Sequence, residues 1–146
     1  MSTHAIAVAV GILRLADGRI LLCQRPEGKS YALQWEFPGG KLEPGESSRE
    51  ALRRELMEEL AIEAEIGALL HEQVAHYRDG GTFAVGYYLI EQWHGELINR
   101  NFADMRWLAP EELPEFDVLD GNRQFCARLA TEGLPPAVPD AGQGKA

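Results

Sequence analysis

RELMEEL, residues 54–60, and the run in front of it, GGKLEPGESSREA (39–51), decide how this chain is read. Ser47 with Glu50 fits a capping box, so the spacing predicts a helix that begins near Ser48. Leu52, Leu56 and Leu60 recur as a buried stripe and carry that helix to about Leu60. On it Glu55 and Glu59 lie about 40° apart and Glu58 about 60° from Glu55. Like charges at this spacing cost a few tenths of a kcal/mol per pair. Their stripe runs beside the apolar one, where repulsion is harder to screen. Either a solvated acidic face tolerates the repulsion or something positive sits there. A hard divalent cation such as Mg²⁺ favours carboxylate oxygens, and Glu46, just before the helix, could join the cluster.

The loop that leads into this helix, FPGGKLEPGE (37–46), has glycines at 39, 40 and 45 and a proline at 44. Such a loop can bring backbone carbonyls and N–H groups close to a ligand and fix the entry to the helix. Lys41 adds one positive group, able to meet a phosphate or to pair with an acid of the helix.

Working outward, 146 residues suit one domain with a core that needs no metal or disulfide staple. We expect a single domain over residues 1–132 and a disordered tail over 133–146, where GLPPAVPDAGQGKA has three prolines and three glycines. A net charge of −9 argues against long nucleic acids and anionic membranes as partners. It leaves room for a small phosphorylated ligand whose charge a bound cation offsets. Cys23 and Cys126 have no metal-ligand spacing and read as buried, reduced thiols. AIAVAVGILRL (5–15) has no basic leader or cleavage pattern and is too short to span a bilayer, which points to a strand and a cytoplasmic protein.

Residues 4–14 and 19–25 are β-rich and flank ADG, which predicts a hairpin through Asp17-Gly18. RPEGKSYALQ reads as loop, and WEFPGG as a short strand passing into a turn. Two long runs, 64–78 and 82–93, separated by DGG, predict an antiparallel pair. MRWLAP (105–110) is a further strand, EEL a brief turn or helix, and residues 119–131 a closing helix. The order of elements predicts one α+β or α/β sandwich.

From Gly40 to Ile62 the residues read G-x5-E-x7-R-E-U-x-E-E-x-A-U, with U apolar, and eight of nine fixed positions match the Nudix box. The chain is therefore identified by resemblance as a Nudix member, which implies a Nudix fold: an α/β/α sandwich around a mixed β-sheet. The departure is Ala61, where the family has the glycine that ends the helix; keeping a left-handed residue there costs alanine on the order of 1 kcal/mol. The resemblance implies hydrolysis of nucleoside diphosphates linked to another group, with Mg²⁺ or Mn²⁺ as cofactor. It makes Glu55, Glu58 and Glu59 metal ligands together with the carbonyl of Gly39, places Glu46 around them, and has Arg54 orient a glutamate. Glu58 or Glu59 would serve as the base.

WEFPGGK (35–41) and Arg25 resemble the MutT branch in particular, which implies a nucleoside triphosphate such as 8-oxo-dGTP as substrate. The nearest alternatives are CTP or a methylated cytidine nucleotide, a dinucleotide, ADP-ribose or a sugar nucleotide; a non-catalytic nucleotide-binding module is a further one. Arg25 would stand near the phosphates and sugar, its rival reading being an exposed strand-end charge. Trp35 and Phe37 read as core or loop anchors rather than stacking platforms. Asn122 aligns with the residue that reads the purine edge; equally, Asn122 or Asp120 could cap the closing helix. Asn101 falls where relatives carry a further glutamate, with Asp104 or Glu96 as substitutes after a loop shift. His76 and His94 read as surface or strand histidines. A monomer or a homodimer is compatible with all of this.

Overall fold

β1 (Ile6–Leu13) is apolar along nearly its whole length because both of its faces are covered. Val10 and Ile12 point into one core cluster and Ala9 and Leu13 into a second. β2 (Ile20–Gln24) alternates likewise, with Ile20 and Leu22 in the first cluster and Leu21 and Cys23 in the second. β7 (Thr82–Ile90) sends Val85 and Tyr87 one way and Tyr88 and Ile90 the other. The second cluster is closed by Leu52, Leu56 and Leu60 of α1 (Ser48–Leu60), the first by Phe125, Cys126 and Leu129 of α2 (Asp120–Glu132). The result is the expected α/β/α sandwich, seen in a computed structural model that describes residues 5–77 and 80–136.

The sheet between the helices is mixed. β1 runs parallel to β7 from Ile6–Phe83 to Leu13–Ile90 and antiparallel to β4 (Gly39–Lys41). β6 (Leu69–His76) pairs antiparallel with β7 and forms the edge, giving the order β4-β1-β7-β6. β2 lies between β3 (Trp35–Glu36) and β9 (Asp104–Leu108), and β5 (Glu63–Glu65) pairs with β8 (Gln92–His94). A 3₁₀ turn over Pro110–Glu115 precedes α2.

The turn expected at Asp17-Gly18 is present, with the Gly18 N–H on the Leu15 carbonyl at 2.9 Å. The hairpin expected around it is not: a single bridge, Arg14–Ile20, joins its two strands before they part into different sheets. Each strand is apolar on both faces and finds a longer ladder elsewhere, β1 with β7 and β2 with β9. The run 64–78 divides into β5 and β6, because Gly67 tucks its backbone against Leu89, donating to that carbonyl at 2.8 Å. Where the expected tail leaves α2, the carbonyl of Pro135 takes a hydrogen bond from Arg14 at 2.7 Å, and Leu134 packs on the first core cluster. The rest of that expectation concerns residues 137–146, outside the described residues. Cys23 and Cys126 are buried and unbridged. Among the described residues, no helix is long and apolar enough to cross a membrane.

Candidate active site

α1 starts where the sequence predicts. The Ser47 side chain accepts from the N–H of Glu50, whose carboxylate accepts from the N–H of Ser47. It ends at Ala61, held in the left-handed region at φ 61° and ψ 30°, with its N–H on the Met57 carbonyl at 3.1 Å.

Arg54 organises the acids around it. Its Nε and Nη2 grip Glu46 at 2.7 and 2.9 Å, a two-point clamp. Nη2 also donates to the Lys41 carbonyl at 3.1 Å, and Nη1 reaches Glu55 at 3.2 Å and Glu58 at 3.4 Å. This guanidinium, with the N–H of Glu43, holds the Glu46 carboxyl down at about 2. Glu55 rests against the backbone of Gly40, so closely that a Cβ there would lie 2.5 Å from its carboxyl carbon. Glu59, half-buried, accepts from the Gly39 N–H at 3.2 Å and the Asn101 amide at 3.3 Å. Burial first and the neighbouring Glu55 charge second push the Glu59 carboxyl up to about 8. Gly39 takes φ +145°, and any Cβ on it would overlap the Ala9 carbonyl.

Beside this cluster opens a cavity of about 400 Å³. Its lining brings Gly39, Lys41, Glu59 and Asn101 together with Arg25 and Asn122. Arg25 is not an idle strand-end charge: Nη1 pairs with Glu36 at 3.1 Å and Nε donates to the Ser30 carbonyl at 2.9 Å. Asn122 is 7% exposed, the one amide or charged side chain that is buried among the described residues. The capping alternative does not hold, because Leu119 is the N-cap of α2 and no side chain caps it; Asp120 pairs with Arg123 at 3.0 Å instead. Phe37 and Trp35 are core residues as expected, and Phe37 also forms part of the cavity wall.

Other candidates fall outside the cavity. Glu58 has 57% of its side chain exposed and lies toward Arg54. Asp104 takes Arg106 at 3.0 Å, and Glu96 is exposed; neither joins the lining, so Asn101 keeps its place beside Glu59 without a substitute. His76 meets Thr82 across the β6–β7 pair, and His94 lies on β8. Sequence reasoning missed Glu36, Lys29 and Tyr77, all in the lining. Burial raises the Glu36 carboxyl, an effect that Arg25 opposes. An acid flanked by Trp35 and Phe37 was the available signal, since it has to turn away from the core those rings fill.

Among the described residues no three His, Cys, Asp or Glu side chains close around a point as a finished metal site. Arg54 draws Glu55 and Glu58 to itself while Glu59 turns to Gly39 and Asn101. The donor chemistry nevertheless suits a hard cation: carboxylate oxygens, with Glu55 and Glu59 half-buried and the carboxyl of each raised chiefly by that burial.

The NUDIX domain family matches residues 4–129, and the chain belongs to the Nudix family as a hydrolase. The 8-oxo-dGTP diphosphatase of Haemophilus influenzae is 36% identical over 132 residues, covering 90% of this chain and 96% of that protein. The CTP pyrophosphohydrolase of Escherichia coli is 41% identical over 102 residues, covering 68% and 73%. The solution structure of the E. coli ORF135 protein superposes with a TM-score of 0.75 at 34% identity, covering 91% of this chain and 96% of that one.

Proposed function

We propose that the protein is a Mg²⁺-dependent pyrophosphohydrolase that cleaves a nucleoside triphosphate, 8-oxo-dGTP above all, to the monophosphate and pyrophosphate. The observation that carries this reading is one cavity lined at once by Glu59 of the acidic helix and by the buried amide of Asn122. Oxidation at C8 gives guanine an N7–H donor beside its O6 acceptor, where guanine itself offers two acceptors. An amide carrying one acceptor and one donor matches the first pattern and not the second.

Glu55, Glu58 and Glu59, with the carbonyl of Gly39, would hold the cation, which when bound neutralises the phosphates and makes water more acidic. Arg54 fixes Glu46 and restrains Glu55 and Glu58. Arg25, held by Glu36, and Lys41 supply positive charge for the phosphates and sugar. Water adds at phosphorus, the bond to the pyrophosphate oxygen breaks, and a carboxylate of the cluster, Glu58 or Glu59, takes the proton.

The test is pyrophosphate release from a nucleotide panel with and without Mg²⁺, for the wild type and the Glu58→Gln and Glu59→Gln variants. Metal-dependent release led by 8-oxo-dGTP, and lost in the variants, is expected. The 41% identity to a CTP pyrophosphohydrolase favours CTP as the second reading, and release led by CTP would put it first. Turnover of no nucleotide at all would overturn both.

A further inference from the structure

Asn122 does not stand alone. Its Nδ2 donates to the Tyr87 hydroxyl at 2.9 Å, and that hydroxyl donates to the Gly121 carbonyl at 3.1 Å. The same carbonyl receives Gln73 Nε2 at 2.6 Å. Gln73 Oε1 lies 2.9 Å from His71 Nε2, and His71 Nδ1 lies 3.1 Å from Arg128 Nη1. The peptide of residue 121 is gripped on its other side too, its N–H donating to the Tyr77 hydroxyl at 3.0 Å.

The fixed donors and acceptors along this chain set the direction of its bonds. Arg128 can only donate, so His71 accepts at Nδ1 and carries its proton on Nε2. A backbone carbonyl can only accept, so Gln73 turns its NH₂ to Gly121 and its oxygen to His71. Tyr87 has a single proton and spends it on the same carbonyl. Its oxygen can then only accept, which obliges Asn122 to face it with nitrogen rather than oxygen. Asn122 Oδ1 accepts no hydrogen bond among the described residues, and the second N–H of Nδ2 is left beside it.

We propose that Tyr87, backed by Gly121, Gln73 and His71, is a specificity-positioning residue that locks the Asn122 amide against flipping, so that the cavity reads a base edge with a donor and an acceptor in fixed order. The inference rests on the nucleotide reading above and deepens it. An amide free to flip would present two mismatches to the oxidised base in its turned state, whereas guanine meets one match and one clash in either orientation. A locked amide pays the cost of a mismatch in full, because a buried polar group left unpaired has no alternative partner. Tyr87 suits the role: its side chain is fully buried and its ring lies 4.3 Å from that of Phe125 and 6.2 Å from that of Phe37.

Tyr87→Phe tests this, since it keeps the ring and removes only the hydroxyl. The ratio of kcat/KM for 8-oxo-dGTP over dGTP should fall by about tenfold, the worth of roughly one hydrogen bond. That fall should come from the oxidised substrate alone, with kcat/KM for dGTP held, whereas a merely loosened core would lose both substrates. In an Asn122→Ala background, Tyr87→Phe should leave the ratio unmoved. An unchanged ratio in the single variant, or the same loss in both backgrounds, would overturn the proposal. The side-chain amide resonances of Asn122 give a readout free of turnover: well-separated, slowly exchanging protons in the wild type should exchange faster in Tyr87→Phe. If the wild type hydrolysed no nucleotide, the functional reading would fall, and these resonances alone would decide whether Tyr87 locks the amide; unaltered exchange would overturn that claim.

Discussion

Gly40 and Glu55 share a space that only one of them can fill: the carboxylate occupies the position where a side chain at residue 40 would begin. A Cβ there would lie 2.5 Å from both the carboxyl carbon and Oε2 of Glu55. Gly40→Ala therefore expels the Glu55 carboxylate while leaving α1 intact, because the side chain can swing outward. Misplacing a site group by about 1 Å costs on the order of 100-fold in rate. We expect a loss of that size in kcat, and loss of any rise in Tm on adding Mg²⁺, measured by steady-state kinetics and thermal melts.

The Glu59 carboxyl titrates near 8 in the metal-free protein against 4.5 ordinarily, raised by burial and by Glu55. Between those values the folded state keeps a proton that the unfolded chain gives up, so stability falls as pH rises. Urea denaturation in EDTA should show a lower unfolding free energy at pH 8.5 than at pH 6, with the difference reduced in Glu59→Gln. Millimolar Mg²⁺ should oppose the trend, since a cation binds the ionised carboxylate and stabilises the fold by mass action. A metal-free protein equally stable at both pH values would refute this.

Arg54 holds the Glu46 carboxyl at about 2 through its two-point clamp. Lysine keeps the charge but not the planar fork. Arg54→Lys should therefore let the Glu46 titration, followed by carboxyl carbon NMR, return toward 4.5, the ordinary glutamate value. Activity should fall with it, as Glu55 and Glu58 lose the same anchor.

Ala61 sits in the left-handed region, at φ 61°. Relief of that strain by Ala61→Gly, less the extra freedom glycine has when unfolded, should raise stability by about 0.5–1 kcal/mol in chemical denaturation. The substitution touches no acid of the site, so turnover should not change.

The site's acidic half was legible in the sequence because its information is local. Capping, stripe and carboxylates all lie between residues 46 and 61, within one helix and its entry. Its base-reading half was legible only in part. Asn122 was a candidate, but its burial, and the choice between capping and recognition, depended on which residue caps α2, Leu119 rather than an acid or amide. His71, Gln73 and Tyr87 were invisible for the same reason: each is unremarkable in its own strand and acquires its role only when β6, β7 and α2 meet. The hairpin at Asp17-Gly18 failed in the opposite sense, a correct turn whose strands were claimed by partners distant in the chain.

That last feature bears on how the protein is made. β1 is synthesised before β7, and each of its parallel partners there lies 77 residues further along. Until about residue 90 has emerged, β1 can pair natively only with the three residues of β4. Long-range pairing of this kind is slow and leaves apolar surface exposed to other chains. During synthesis, then, the burden of keeping this protein soluble falls on β1, whose long ladder is completed only when β7 arrives.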